Sequence, residues 1–258
     1  MMRRPEYLSP SALKTWETDR REYYIRYLGP KIAPIPQTPP MAIGSAFDAY
    51  IKGTLLERFS GACPGCKSTP ELLSTSVDPN LLSVARSDGR AVLDDYIRNQ
   101  GLDRLLRLAD NIKAHTLVLD GDKVVTIHVP GSAAPPLKLR GKLDYRVIGD
   151  LGSAILDWKV NGYYSKASPK PGYVWSSKTR MAHKDTFPTL NHYGASHVPG
   201  ALDQEWHTQL DTYRIVESDP LAIVMIHQLT YGSKAGCVVS EYASTWSDRD
   251  ALITRYAE

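Results

Sequence analysis

The sequence predicts an α/β (α+β) protein in which a mixed central β-sheet is flanked by helices. Two observations lead to this fold class. Apolar residues recur at helical spacing through about the first 113 residues, and the alternation typical of strands begins only after them. One more helical segment, 201–216, then separates the first strands from two apolar C-terminal runs. We therefore expect residues 1–258 to form one domain with an N-terminal helical part, about 1–113.

The predicted helices share apolar positions three or four residues apart and are bounded by Ser, Gly or Pro. In the first of them, Ser9 is a candidate N-cap and Gly29-Pro30 is the end. The predicted helices are 9–28, 41–59, a stretch from about 79 to 99, 103–113 and 201–216.

The predicted strands follow the helical part. Residues 115–129 resemble a hairpin with Asp120-Gly121 at its turn. A second hairpin, 137–160, has a turn rich in Gly and Asp, and two further strands are expected at 221–231 and 237–244.

The hairpin 137–160 carries the residues on which the chemistry depends. Asp144 lies in its first strand, and Asp157 and Lys159 lie on one face of its second strand, with Trp158 on the other. Carboxylates on one sheet surface repel each other, and a divalent metal between them would remove that repulsion.

Phosphodiester hydrolysis needs a metal to neutralise the phosphate and to acidify a water molecule, with a basic group nearby. Asp144, Asp157 and Lys159 can supply these functions, and the Trp158 carbonyl is a further candidate oxygen ligand. The simpler alternative is a surface ion pair between Asp157 and Lys159. The apolar approach 154–156 favours a central strand over a solvated edge.

Charge and composition limit the function classes. The net charge is +3, yet residues 138–184 hold ten Lys or Arg and three Asp, a local charge of +7. A polyanionic substrate is the simplest reason for this concentration, although lysines are also common on solvated surfaces. No apolar run is long enough to span a membrane, and three cysteines favour a reducing cytoplasm over a disulfide scaffold.

Residues 161–200 show no clear period and are interpreted as an insertion or lid. Aromatic residues alternate there with cations, which suits single-stranded nucleic acid, while buried aromatics in an ordered loop are an equal alternative. The candidate DNA-binding residues, with two cations of the hairpin, are Arg140, Lys142, Tyr163, Lys166, Lys170, Trp175, Lys178 and Arg180.

Two weaker patterns lie on helices. Asp48 follows Gly44 by one turn, and Gln209 and Tyr213 share a helical face. Spacing alone favours a solvated Asp48. For Gln209 and Tyr213 it does not decide between binding of a phosphate or base and the simpler alternative of a solvated Gln209 beside a packed Tyr213.

Taken in order, these motifs resemble the RecB-like branch of the PD-(D/E)XK nuclease superfamily, which includes many phage exonucleases. The resemblance runs from about residue 8 to Tyr213. It implies a restriction-endonuclease-like core, Mg²⁺ or Mn²⁺ held by Asp144 and Asp157 with Asp48 as a third ligand, and Lys159 assisting the attacking water. Gln209 and Tyr213 would complete the catalytic set by positioning DNA or Lys159.

The resemblance implies a DNA nuclease, most simply an exonuclease of recombination, replication or repair, which a phage could encode and which would act in the cytoplasm, that of the host in the phage case. Its partners would be single- or double-stranded DNA ends and, as a further candidate, a single-strand annealing or replication protein. The alternatives are an inactive DNA-binding or adaptor protein of the same fold and a restriction-type endonuclease. The sequence does not determine the oligomeric state.

The sequence departs from the family at three places. One is the long gap between Lys159 and Gln209, which makes the 161–200 insertion a feature of this protein. Asp48 stands where the family usually has His, which leaves one-metal and two-metal catalysis open. The first helix has no Cys and the C-terminal part has only Cys237, so we expect no iron–sulfur cluster. Cys63 and Cys66 resemble half of a zinc site, but two free thiols in a loop are the simpler interpretation.

Overall fold

The computed structural model describes residues 5–30, 36–59, 67–129, 131, 133, 135–162, 173–176, 181–184, 204–231, 238–244 and 249–257. Its centre is a five-stranded sheet in the order β1-β2-β3-β6-β7. The strands are β1 (Ala114–Ile127), β2 (Leu137–Gly149), β3 (Gly152–Gly162), β6 (Ile223–Tyr231) and β7 (Val238–Ser244). All neighbours are antiparallel except β3 and β6, so the sheet is mixed, as predicted.

Helices cover both faces of this sheet. The predicted helical segments are present with small shifts of their ends, and the first of them is broken into α1, α2 and a π-helical turn at 24–28. The helices are α1 (Pro10–Thr18), α2 (Arg20–Tyr23), α3 (Pro39–Arg58), α4 (Thr69–Ser76), α5 (Leu82–Arg98), α6 (Gly101–Asn111), α7 (Gln204–Glu217) and α8 (Arg249–Ala257). Helices α4 and α8 were not predicted. Among the described residues, no helix is long and apolar enough to cross a membrane.

The predicted hairpin at Asp120-Gly121 is wrong, because 114–127 is one continuous strand paired along its length with β2. Asp120 nevertheless has a left-handed backbone, with φ of 52°. Leu119 pairs with Tyr145 and Gly121 with Leu143, while the paired positions skip Asp120 and Asp144 between them. The turn signal therefore marks a local distortion inside a strand.

Two apolar layers hold the helices on the sheet. On one face, α3, α5 and α6 contribute Phe47, Ile51, Tyr96 and Leu105 against Tyr145, Leu156 and Trp158. On the other face, α7 contributes Trp206, Leu210 and Tyr213 against Leu143, Ile155 and Val224. The alternation of β3 thus sends Leu156 and Trp158 to one layer and leaves Asp157 on the side of α7.

Helices α3 and α5 cross very closely at Gly89. A Cβ atom there would lie 2.6 Å from Ala46 Cβ and 3.1 Å from the Phe47 backbone nitrogen. Neither atom can move without shifting α3. The crossing therefore sets how closely α5 packs against α3, the helix that carries Asp48.

Gly89→Ala is expected to lower the free energy of unfolding by about 1 kcal/mol, because overpacking of about 1–3 kcal/mol outweighs the better helix propensity of Ala, about 1 kcal/mol. Urea denaturation followed by circular dichroism measures the change. Gly44→Ala is the matched control in α3, since its Cβ would meet only Val160 Cβ at 3.7 Å. Equal stability of the two variants would contradict the prediction.

The predicted insertion lies in the crossover from β3 to β6. Within it the described residues form β4 (Tyr173–Ser176) and β5 (Met181–Lys184), an antiparallel pair that makes a separate two-stranded sheet. Short strands therefore occur where the sequence showed no period.

Candidate active site

The site lies where β2 and β3 separate. Their ladder runs from Gly149–Gly152 to Tyr145–Leu156, and Asp144 and Asp157 come directly after the last pair. Beyond it, the backbone N–H of Trp158 donates to Asp144 Oδ2 at 3.1 Å. A side-chain oxygen thus takes the place of a backbone acceptor, and the carboxyl group of Asp144 is held between the strands.

Asp157 and Lys159 lie on the face of β3 that α7 covers, as the alternation predicted. Asp157 is 3% exposed, and its Oδ2 lies 2.5 Å from Lys159 Nζ. Despite this ion pair, Oδ2 accepts no hydrogen bond of good geometry from the described residues. Apart from the Lys159 ammonium beside it, this buried carboxylate oxygen keeps a lone pair for a metal ion.

The other oxygen of Asp157 is held by α7. Gln209 Nε2 donates to Asp157 Oδ1 at 2.8 Å and to the Tyr213 hydroxyl at 2.6 Å, and that hydroxyl donates to the same Oδ1 at 3.2 Å. Gly141 on β2 lets α7 approach this closely, because a Cβ there would lie 3.2 Å from Tyr213 Cδ1. The structure thus brings Gln209 and Tyr213 together with Asp157, a grouping that helical spacing alone did not decide.

Asp48 reaches the site from α3, together with a lysine that the sequence analysis missed. Lys52 Nζ lies 2.5 Å from Asp48 Oδ2 and 2.7 Å from Asp120 Oδ1. The spacing of Asp48 and Lys52 was a visible signal, since side chains four residues apart share a helical face. Asp120 was not predicted as a site residue, because the sequence Asp120-Gly121 was interpreted as a turn.

The carboxylates perturb one another. Burial, followed by the negative charges of Asp157 and Asp48, raises the pKa of Asp144 well above its usual range. Burial also raises the pKa of Asp48, although Lys52 opposes the shift. For Lys52, burial acts to lower the pKa, but the nearby carboxylates outweigh it and the pKa is raised. A site of this kind disfavours its own negative charge until a cation compensates it.

A model of the PD-(D/E)XK nuclease superfamily matches residues 7–174, about two thirds of the chain. The chain belongs to the PD-(D/E)XK nuclease superfamily. The matched range contains Asp48, Asp144, Asp157 and Lys159, whereas Gln209 and Tyr213 lie beyond it. A crystal structure of SSO0001 aligns over 96% of this chain and 82% of that chain with 12% identity and a TM-score of 0.32, too low to add to the assignment. No curated protein matches the chain.

Divalent metals are general cofactors of PD-(D/E)XK nucleases, and the residues present can be tested against that requirement. Within the described ranges, no group of three His, Cys, Asp or Glu side chains is close enough to form a ready-made metal cage. Mg²⁺ does not need one, because it is usually bound by one or two carboxylates with waters and substrate phosphates. The mutual repulsion at Asp144 and the available Oδ2 of Asp157 fit such an ion.

On the opposite face of β3, a buried network anchors Trp158. Its indole Nε1 donates to the Tyr96 hydroxyl at 3.3 Å, and that hydroxyl lies 2.6 Å from His227 Nδ1. Tyr96 and His227 are fully buried. The network therefore holds Trp158, which lies between Asp157 and Lys159, from the face of β3 opposite the site.

The candidate DNA-binding cations differ in their surroundings. Arg140 makes a two-pronged ion pair with Asp122 and also binds the Tyr7 hydroxyl, so its guanidinium is engaged within the protein. Lys142 is exposed on the same strand, two residues from Asp144. Trp175 lies in β4, but its side chain is outside the described part of the chain. Wholly outside it are Tyr163, Lys166, Lys170, Lys178, Arg180 and the cysteines at 63, 66 and 237.

Tyr213→Phe is expected to lower the rate of DNA cleavage about tenfold, since it removes about one hydrogen bond to a charged group, worth about 1.5 kcal/mol. Single-turnover cleavage of labelled DNA measures the effect. Tyr256→Phe is the matched control, because Tyr256 is a buried tyrosine whose hydroxyl lies 2.8 Å from Thr212 Oγ1 on α7, away from Asp157. An equal loss of rate in both variants would show that Tyr213 acts only through the packing of α7.

Proposed function

We propose that the protein is a Mg²⁺- or Mn²⁺-dependent deoxyribonuclease of the RecB-like branch, acting as an exonuclease on DNA ends in recombination, replication or repair. The observation that carries the proposal is the grouping of Asp144, Asp157 and Lys159 where β2 and β3 separate. The sparse cysteines suit action in the cytoplasm, that of the host if a phage encodes the protein.

Asp144 and Asp157 would hold the metal, with the Trp158 carbonyl and Asp48 as further oxygen groups nearby. When bound, Mg²⁺ or Mn²⁺ neutralises the phosphate and acidifies a water molecule. The chain's own residues then have separate tasks. Gln209 and Tyr213 fix the orientation of Asp157 by binding its Oδ1, which keeps Oδ2 directed away from α7.

Lys159 is the group suited to the nucleophile. Its ammonium lies beside Asp157 on a side chain that is 30% exposed, so it can reach both the carboxylate and an incoming phosphate. In this position it orients the attacking water and stabilises the negative charge that develops on the phosphate. Lys142, exposed two residues from Asp144, would contact the DNA backbone at the mouth of the site.

The second candidate is an inactive DNA-binding or adaptor protein with the same fold. One observation favours this candidate. Lys52 pairs with Asp48 and Asp120, so part of the negative charge of the site is neutralised without a metal ion. Against it, burial and the nearby charges of Asp157 and Asp48 raise the pKa of Asp144, and groups perturbed in this way are typical of functional sites.

Digestion of 5′- and 3′-labelled single- and double-stranded DNA with Mg²⁺ or Mn²⁺ tests the proposal. We expect linear DNA to be degraded from an end, with closed circular DNA spared and all activity lost on chelation. Asp157→Asn, purified in parallel, excludes a contaminating nuclease. Binding without cleavage in Mg²⁺, Mn²⁺ and Co²⁺ would favour the adaptor, and cutting of closed circles would favour an endonuclease.

A further inference from the structure

Lys52 is a fully buried lysine in a nuclease site. It is 1% exposed, lies one turn after Asp48 on α3, and pairs with one carboxylate of α3 and one of β1. Burying an ammonium group costs several kcal/mol unless nearby negative charges compensate it. Asp48 and Asp120 supply that compensation for Lys52.

The β1 side of this arrangement is equally specific. Asp120 adopts the left-handed conformation in the middle of a strand, at the position where pairing with Asp144 is skipped. Its carboxylate meets Lys52 at 2.7 Å. A non-glycine residue in that conformation is costly and persists when the surroundings require it. Asp120 and Lys52 thus form a built contact between the sheet and α3 beside the catalytic carboxylates.

The charges of the cluster can be counted. Its four carboxylates are those of Asp48, Asp120, Asp144 and Asp157, and its two ammonium groups are those of Lys52 and Lys159. With the exposed Lys142 left out, since its charge also acts on Asp48 but lies at the surface, the sum is −2, which one divalent ion neutralises. A second ion would leave an excess of +2 in a desolvated site and would have to displace Lys52 from Asp48 and Asp120.

We propose that the Lys52 ammonium is a built-in cation that neutralises Asp48 and Asp120, so that the active site binds one divalent ion, at Asp144 and Asp157, instead of two. The inference rests on the proposed metal-dependent function. Asp48 is then the ion-pair partner of Lys52 and not a metal ligand. Lys52 is a positioning residue that determines how many metal ions the site binds.

Metal stoichiometry tests this directly. Mn²⁺ binding to the full chain is measured by electron paramagnetic resonance of free Mn²⁺ and by calorimetry, without DNA. We expect one ion per chain for the unmodified protein and two for Lys52→Met, in which Asp48 and Asp120 lose their cation. Lys123→Met is the matched control, because it removes an exposed lysine of β1 that pairs with Glu217 and not with the cluster, and it is expected to leave one ion bound.

Two ions in the unmodified protein, or one ion in a folded Lys52→Met, would overturn the inference and leave the nuclease proposal standing. No Mn²⁺ binding at all would instead overturn the metal-dependent function itself. The second variant, Asp48→Asn, changes a side chain that is about one third exposed and does not depend on replacing a buried lysine. We expect it still to bind one ion, with an affinity lowered by about tenfold at most, because Asp48 acts on Asp144 through its charge and not as a ligand. Loss of binding would show that Asp48 is a ligand.

Discussion

Asp157→Asn is expected to lower the rate of DNA cleavage by about 10³-fold or more, the size of effect that loss of a central catalytic group produces. Asn keeps the shape of the side chain, and its amide oxygen can still accept from Gln209 and Tyr213. The substitution removes the negative charge that would hold the metal and that repels the carboxylate of Asp144. The melting temperature is therefore expected to stay equal or rise, since a functional site is destabilising when its cation is absent.

The measurement is single-turnover cleavage with saturating Mn²⁺, combined with thermal unfolding. Asp150→Asn is the control, because it removes one exposed negative charge from the turn at the opposite end of the same hairpin. Asp150→Asn should leave the rate within about twofold, as expected for a surface position. Retained cleavage in Asp157→Asn would remove this residue from the active site.

Lys159→Met is expected to lower the cleavage rate by about 10²–10⁴-fold, the range typical for a group that assists proton transfer. Met preserves the aliphatic stem and removes only the ammonium that lies beside Asp157. Metal binding should be retained, because the carboxylates stay in place and lose a competing cation. The expected signature is therefore a defect in rate without a defect in metal affinity.

Lys123→Met is the control for Lys159→Met. Lys123 lies on β1, where its exposed ammonium is 3.5 Å from Glu217, so its loss changes the charge of the sheet without reaching the site. A fall in Mn²⁺ affinity parallel to the fall in rate would show that Lys159 acts by arranging the carboxylates and not on the nucleophile.

The parts of the site that depend on local period were predictable from sequence. Alternation in β3 predicted that Asp157 and Lys159 share one face with Trp158 on the other, as the structure shows. In β2 the alternation breaks at Asp144, because Leu143 and Tyr145 pack on opposite faces of the sheet. The superfamily assignment and the mixed sheet were likewise confirmed. Helix α4 also had a signal, since Ser68 and Glu71 form a capping box.

The missed features depend on contacts between distant segments. Asp120-Gly121 is a strong local turn signal, yet the long pairing of β1 with β2 overrides it. Lysine is usually exposed, so nothing in the local sequence indicates that Lys52 is buried. It becomes buried only when α3 packs on the sheet. The C-terminal helix α8 is short, and it is held by packing of Leu252 and Ile253 against Val216 and Leu13.

The hydrogen bond from the Trp158 amide to Asp144 gives the site a built-in spectroscopic probe. The amide proton senses the charge on that carboxylate, so its ¹⁵N–¹H resonance should move when Mg²⁺ binds or when Asp144 changes protonation state. The indole proton of the same residue, bound to Tyr96 behind the strand, should hardly move. One tryptophan thus provides both a signal for the site and an internal reference for the fold.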